Sequence, residues 1–342
     1  MAKKADNSAR ATELLAQIAR GELSRLYIFH GEERYMLEHC VAALRERVVP
    51  EGLDGFNYRR LEGASLSVNT LRDTAETFPV FADMTLIEVR DFDIFKRGED
   101  DLASLAEMFA DMPEYTCAVF IYDTVAFKPD KRLKAVSQLL KHAEVVEFER
   151  QEQSKLATWI RRHFKERGKT CDKDTAEYLA FMTGGLMTPL LTEIEKLAAY
   201  SKGVAVTRAD IDAMVEPTVE AVAYNMTDAL AERKFDRAAE VLADLLAMRE
   251  PPQKLIYQFT LKARHLLAAR LCVEQSLGTA ELMSISGIRN DWQARNALNS
   301  ARRMTFAQCR KWVLLCAETA YRLNSGGDSG DLVLLLTRLA AA

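Results

Sequence analysis

Residues 26–37 read L-Y-I-F-H-G-E-E-R-Y-M-L, and the apolar period changes within this stretch. The first four residues are apolar without interruption, which is typical of a short strand buried on both faces. After the H-G pair, apolar residues recur every three or four positions, which predicts a helix whose apolar face is formed by Leu37, Val41, Leu44 and Val48. A buried strand that leads through a turn into an amphipathic helix is the repeating unit of an α/β domain.

The same alternation continues along the first 148 residues. Four further strands are predicted around residues 56–60, 86–89, 117–122 and 145–148. Helical periods separate them, and Ser67 is a candidate N-cap for one of these helices. Strands separated by helices form right-handed βαβ units, so the sequence predicts a mostly parallel sheet. We therefore assign residues 1–148 to an α/β domain.

The strand signal stops after this domain. Residues 149–216 carry short helical periods with candidate N-caps at Ser154, Asp172 and Thr207, which predicts a small helical module. Residues 217–342 are predicted to be helical as well. The predicted fold class is thus α/β followed by all-α.

One long helix of the C-terminal region is predicted to begin at the proline pair 251–252. Its wide apolar face is formed by Leu255, Phe259, Leu266 and Leu267. A single small bundle is not expected to bury such a face completely, which favours an oligomerisation domain. This region carries 16 basic and 13 acidic residues, a net charge of +3 that is too small to indicate DNA binding by itself.

Composition excludes several classes of protein. Of the 342 residues, 49% are hydrophobic and 28% are charged, and the net charge of −4 fits neither a polybasic nucleic-acid tail nor a supercharged acidic chain. No apolar run approaches the roughly 18–20 residues of a membrane span, and the polar N-terminal residues do not resemble a secretory signal. Six cysteines without C-x-x-C spacing favour neither zinc nor disulfides. We therefore expect a cytoplasmic protein that does not contact membranes.

A nucleotide-binding turn is the first chemistry that an α/β domain suggests. A phosphate loop reads G-x-x-x-x-G-K-[ST], because glycines admit the phosphate to the backbone and the lysine contacts the β and γ phosphates. Residues 30–37 lack the second glycine, the lysine and the hydroxyl residue, and Glu32 and Glu33 would repel phosphate. The turn is either a degenerate nucleotide site or an ordinary strand-to-helix turn. We expect no bound cofactor in either case.

No other group of residues predicts catalysis. Asp91 and Asp93 follow the third strand, but without a phosphate loop there is no triphosphate for a metal ion to bridge. The five histidines lie far apart, and His163 is interpreted as a core or boundary residue of a helix. A G-x-S-x-G nucleophile motif is absent from the sequence. We expect neither catalytic residues nor a metal site.

Residues 77–85, T-F-P-V-F-A-D-M-T, connect a helix to the third strand and are unusually apolar for a connection. Phe78, at the end of the helix face, Val80 and Phe81 lie within four positions around a proline. One interpretation is that these side chains cover the edge of the sheet. The other is that they form an exposed apolar knob that enters a partner's pocket, as hot-spot residues do.

An ordered set of segments resembles the delta subunit family of bacterial DNA polymerase III, which opens the sliding clamp within the clamp loader. The segments are LYIFHGEERYMLE, FNYRRLEG, TFPVFADMTLIEVR, CAVFIY, DKRLKA and VVEF, followed later by EIEKLAAY and SGGD. The resemblance implies a RecA-like AAA+ domain with a parallel sheet (residues 1–148), a small helical lid (149–216) and a helical collar that oligomerises (217–342). It also implies that no functional phosphate loop is present.

The resemblance further implies a clamp-binding site. In the family an apolar pair before the third strand enters the clamp, and here Val80 and Phe81 occupy that pair, with Phe78 just before it. Implied partners are the sliding clamp (the beta subunit), the gamma/tau ATPase subunits, delta prime, and primer–template DNA within the assembled complex. The chain would then be a subunit of a DNA-directed DNA polymerase, a nucleotidyltransferase, without a catalytic site of its own.

Two other functions stay open on the residues alone. The first is a degenerate P-loop ATPase that retains activity, and the second is a helical scaffold or adaptor without a role in replication. Nucleotide binding by the isolated chain separates the first from a clamp-opening subunit. Co-purification with clamp and ATPase subunits separates the second.

Overall fold

The structure, a computed structural model, describes residues 7–130, 132–288 and 291–342. The chain divides into two compact units. The first comprises Met1–Glu152 together with Leu186–Thr188, and the second comprises Gln153–Gly185 and Pro189–Ala342. The finer division of the second unit into a lid and a collar stays a prediction.

The first unit is built on a five-stranded sheet. In chain order the strands β1 to β5 are Leu26–Gly31, Tyr58–Glu62, Thr85–Arg90, Thr116–Tyr122 and Glu144–Phe148. Their order in space is β2-β3-β4-β1-β5, and every neighbouring pair is parallel. This is the strand order of a RecA-like AAA+ domain, and the predicted α/β class is confirmed.

Six α-helices belong to the described part of this unit. In chain order, α1 to α6 are Asn7–Arg20, Arg34–Val48, Asp54–Asn57, Val68–Ala75, Glu99–Ala110 and Lys134–His142. Two short 3-10 turns lie at Gly63–Ser65 and Ile94–Lys96. Ser67 caps α4 as predicted, because its Oγ accepts the Thr70 N–H at 3.1 Å.

The sheet is covered on both faces, which explains the uninterrupted apolar run of β1. Leu26 and Ile28 pack with residues of α4, α5 and α6 on one face. Tyr27 and Phe29 pack with residues of α1 and α2 on the other. Successive side chains of a strand point to opposite faces, so a strand between two helical layers needs apolar residues at every position.

Three details of this unit differ from the sequence predictions. The sequence patterns do not predict α1, which buries Leu14 and Ile18 in the same cluster as α2. Phe56, expected in the second strand, lies in α3. Helix α4 ends at Ala75, so Phe78 lies beyond the helix rather than on its face.

The second unit is helical. In chain order, α7 to α17 are Gln153–Glu166, Lys173–Met182, Met187–Tyr200, Arg208–Met214, Val219–Ala231, Phe235–Ala247, Pro252–Glu274, Thr279–Ser286, Asp291–Ala301, Phe306–Asn324 and Gly330–Ala340; the first residues of α9 pack with the first unit. Asp172 and Thr207 cap α8 and α10 as predicted. Ser154 lies inside α7 and does not cap it.

The apolar face of α13 is more buried than we expected. Leu255, Phe259 and Leu266 are each at most 2% exposed, and Leu267 packs against the same core cluster. Helices α11, α12, α16 and α17 contribute to this cluster. The chain itself thus buries three of the four residues of this face and leaves Leu267 partly exposed, and oligomerisation through the C-terminal region stays a prediction. Within the described residues, no helix has both the length and the hydropathy of a membrane span.

Candidate functional site

The candidate site is the connection between α4 and β3, residues 76–84. Phe78, Val80 and Phe81, hereafter the apolar tip, are 73%, 37% and 92% exposed. Aromatic side chains gain the most free energy when they leave water, so a nearly bare phenylalanine is unusual in the absence of a partner. The interpretation that these residues cover the sheet edge is therefore wrong for Phe81, which covers almost nothing.

The backbone beneath the apolar tip is held by a buried side chain. Asn57, the last residue of α3, is fully buried. Its Nδ2 donates to the Val80 carbonyl at 2.7 Å, and the Val80 N–H donates to its Oδ1 at 2.7 Å. Only this orientation of the amide satisfies both bonds. Sequence analysis missed Asn57, although the residue lies in the quoted FNYRRLEG segment.

A second support lies at the helix side of the connection. The Phe78 ring stacks on Tyr115 with ring centroids 4.7 Å apart, and the Tyr115 hydroxyl donates to the Glu76 carbonyl at 3.2 Å. Next to it, the buried Thr116 Oγ1 donates to the Ala75 carbonyl at 2.7 Å. These contacts link the end of α4 to the start of β4. They hold the backbone from which the apolar tip projects.

The turn at the apolar tip has an uncommon conformation. Phe81 has φ of 54°, in the left-handed region that non-glycine residues rarely occupy. Such conformations cost about 1–3 kcal/mol and persist where the surrounding structure holds them. In this conformation the backbone directs the large apolar side chain of Phe81 towards solvent. The geometry suits insertion into an apolar cavity of a partner.

The strand-to-helix turn after β1 carries a buried carboxylate at the start of α2. Glu33, the N-cap residue of α2, is 1% exposed, and its two carboxylate oxygens accept the backbone N–H of Met187 at 3.4 and 3.2 Å, whereas its side chain makes no capping bond to α2; Met187 belongs to the segment that packs with this unit. Burial raises the pKa of Glu33 despite these bonds and the charge of Arg150. A buried carboxylate of the chain itself therefore lies at the N-cap of the helix whose N-terminus would bind phosphate in a nucleotide site.

Gly31 in the same turn has a packing function. A Cβ at this position would lie 2.3 Å from the carbonyl oxygen of Phe148, and φ is 131°. The glycine allows β1 to run beside β5 at its end. The close approach of β5 therefore accounts for the glycine of this turn, and nucleotide binding is not needed to explain it.

Comparison with known proteins identifies the family. The profile of "DNA polymerase III, delta subunit" matches residues 27–149, and that of "DNA polymerase III delta subunit, C-terminal domain" matches residues 220–339. The chain belongs to the DNA polymerase III delta subunit family. Together the two matches cover most of both units.

Two bacterial members of this family share about a fifth to a quarter of their aligned residues with this chain. DNA polymerase III subunit delta of Bacillus subtilis is 24% identical over 327 residues, which cover 93% of each chain. The probable delta subunit of Aquifex aeolicus is 21% identical over 276 residues, covering 78% of this chain and 77% of that one. The solved B. subtilis clamp loader delta protein aligns with a TM-score of 0.48 at 22% identity, covering 97% of this chain and all of that one.

Asp91 organises the loop after β4 in this delta-family chain. Its Oδ1 accepts the backbone N–H groups of Asp123, Thr124 and Val125 at 2.8–3.0 Å, and its Oδ2 accepts the Thr124 hydroxyl at 2.7 Å. Burial alone would raise the pKa of Asp91, but these bonds outweigh it and the pKa lies below its ordinary value. The carboxylate is a structural acceptor.

Asp91→Asn is expected to destabilise the first unit by about 1–2 kcal/mol at neutral pH, because asparagine loses the charge and one acceptor but keeps the left-handed φ of 53°. Asp93→Asn is the control, since the ion-pair partner of Asp93 is the exposed Lys96 at 3.0 Å. The depressed pKa adds stability above the unfolded pKa that is lost as pH falls, so the difference between wild type and Asp91→Asn should shrink on acidification. Urea unfolding at neutral and acidic pH measures this. An unchanged midpoint at pH 7 would contradict the structural role.

The other residue types that carry chemistry do not converge on a site. All six cysteines are buried, and burial raises the pKa of each thiol, which makes them poor nucleophiles. His163 is 9% exposed and pairs with Glu166, as expected for a residue at the core boundary. Among the described residues there is no group of His, Cys, Asp and Glu side chains arranged to hold a metal.

Proposed function

We propose that this delta-family chain binds and opens the sliding clamp within a replicative clamp loader, without hydrolysing ATP itself. The observation that carries the proposal is the apolar tip, with Phe81 92% exposed on a backbone fixed by Asn57. A rigid, exposed aromatic anchor is what an interface hot spot requires, because little entropy is lost when it enters a pocket. Binding of the purified chain to the sliding clamp, followed by release of clamp from nicked circular DNA, tests the proposal.

The clamp-binding residues in this proposal are Phe78, Val80 and Phe81. Phe81 contributes the largest exposed surface and acts as the central anchor. Val80 is smaller and half-covered, so its share of the contact is less. Phe78 supports the site by its stack on Tyr115 and adds a second aromatic surface.

Assembly with the ATPase subunits and delta prime is assigned to the collar. Helix α16 carries Phe306, Leu314 and Tyr321, which are 42%, 57% and 74% exposed. Their spacings of eight and seven residues place them on one face of the helix, hereafter the α16 stripe. Three large apolar side chains on the solvent side of one helix, with the exposed Arg310 on the same face, favour a protein partner. Primer–template DNA joins in the assembled complex.

The chain is proposed to lack ATPase activity because a buried carboxylate lies at the N-cap of α2 and the turn before this helix lacks a lysine. A phosphate at this turn would meet the carboxylate of Glu33, which accepts the Met187 N–H at 3.2 Å, and that of Glu32, which is paired with Arg150 at 2.6 Å. The turn also has no lysine to contact the phosphates of a nucleotide. The degenerate-ATPase alternative has no observation in its favour.

Titration of the full chain with Mg-ATP is therefore expected to give no heat of binding at millimolar nucleotide, and no phosphate release. Glu33→Gln, which removes the charge but keeps an acceptor, should not create binding, because the lysine is still missing. Saturable binding by the wild-type chain would contradict the proposal. A partner ATPase subunit assayed in parallel serves as the positive control.

A further inference from the structure

We propose that Asn57 is a positioning residue for the apolar tip: it fixes the Val80 peptide so that Phe81 is already presented before the clamp arrives. This inference rests on the proposed clamp-binding function. It adds a residue that is buried and therefore outside any binding surface. The contact joins residues 23 positions apart in the sequence.

The bonding pattern is specific to a carboxamide. Asparagine offers one donor and one acceptor in the geometry of a peptide group, and both are used on the same residue, Val80, at 2.7 Å each. The pair reproduces the reciprocal N–H···O bonds of two neighbouring strands. Asn57 precedes β2, whose first residue Tyr58 pairs with Leu86 of β3. The amide is thus carried on backbone that the sheet already fixes.

Phe81 depends on this link for its direction. A side chain that is 92% exposed has little packing to orient it, so its position follows from the backbone on either side. Val80 immediately precedes it and is the residue that Asn57 holds. Without the link, the polar groups of Val80 turn to water, and several residues around the left-handed Phe81 gain conformational freedom.

Loss of this preorganisation should weaken clamp binding. Ordering a loop at the moment of association subtracts from the affinity, and fixing about one backbone residue corresponds to roughly a tenfold change. We expect Asn57→Ala to bind the sliding clamp about tenfold more weakly than wild type. The amide of Val80 should exchange with solvent slowly in the wild-type chain and rapidly in the variant.

Tyr58→Phe is the matched control. It removes one side-chain hydrogen bond at the next residue, from the Tyr58 hydroxyl to the buried Glu88 at 2.5 Å, and removes neither of the two bonds between Asn57 and Val80. The control should lose stability without losing clamp affinity. Clamp binding by surface-immobilised full-length chain and hydrogen exchange over residues 78–83 are measured on the same preparations.

A double-mutant cycle with Phe81→Ala separates positioning from general stability. If Asn57 acts through Phe81, Asn57→Ala has little further effect on affinity in the Phe81→Ala background. Additive losses would overturn the inference, as would wild-type affinity in Asn57→Ala while Phe81→Ala binds weakly; in both cases the proposed function stands. Normal clamp binding by Phe81→Ala would instead overturn the clamp-binding site and the inference with it. Rapid exchange of the Val80 amide in the wild-type chain would overturn the inference without any variant.

Discussion

Val80→Ala combined with Phe81→Ala is expected to weaken binding to the sliding clamp by about a hundredfold or more. Burying a phenylalanine contributes about 1.5–3 kcal/mol and a valine somewhat less, and each 1.4 kcal/mol is a factor of ten. Thermal unfolding should hardly change, because Phe81 is 92% and Val80 37% exposed in the free chain. Clamp affinity and the melting temperature should be measured on one preparation.

Leu133→Ala combined with Val145→Ala is the matched control. These residues belong to the same unit, and their exposed fractions are 45% and 37%. The control also removes two exposed apolar side chains, with less exposed surface than the tested pair and away from the connection between α4 and β3, and should bind the clamp as wild type does. A collapse of the melting temperature in the Val80/Phe81 variant would show that the two residues are structural. Unchanged affinity would remove the apolar tip from clamp binding.

The second large effect is expected at the α16 stripe. Leu314→Glu combined with Tyr321→Glu should abolish assembly with the ATPase subunits, because two carboxylates would have to be buried in an apolar contact. Both side chains are more than half exposed, so the chain itself should still fold. Clamp binding should be retained, since the apolar tip lies in the other unit. Size-exclusion chromatography with the partner subunits and a separate clamp-binding measurement test both statements.

Tyr200→Glu combined with Val204→Glu provides the control for added charge. These residues are 47% and 65% exposed and lie outside α16. Full assembly of the Leu314/Tyr321 variant would contradict the assignment of the α16 stripe to the partner interface. Loss of assembly in the control as well would point to charge rather than to the stripe. Variants of the full chain are preferable to a truncation near residue 216, because the compact second unit extends across that position.

Much of the fold follows from local pattern. The continuous apolar run of β1 and the period of α2 predict a parallel α/β sheet, and the structure has one. The N-caps at Ser67, Asp172 and Thr207 are predictable because a cap bonds an N–H only two or three residues away. The absence of a lysine from the turn after β1 can likewise be read directly from the sequence. Such features depend on neighbours in the chain.

The candidate site depends on contacts that the local sequence pattern does not predict. The connection between α4 and β3 is unusually apolar in sequence because of Phe78, Val80 and Phe81. This pattern is equally compatible with residues that cover the sheet edge and with residues that are exposed to solvent. Only the structure shows that Phe81 is bare and that Asn57 holds its neighbour. The bond from Asn57 has no sequence signal, because it depends on two distant segments being brought side by side.

The helices of the second unit show the same limit of local pattern. The wide apolar face of α13 suggests an open surface, but other helices cover it, whereas the α16 stripe stays exposed. Periodicity shows which face of a helix is apolar; it contains no information on whether another element packs there. The sequence by itself therefore determines most of the helices and strands, the parallel sheet and the absence of a phosphate-loop motif. Tertiary packing alone determines which apolar surfaces remain in water, because burial is a property of neighbours brought together by the fold rather than of the residue.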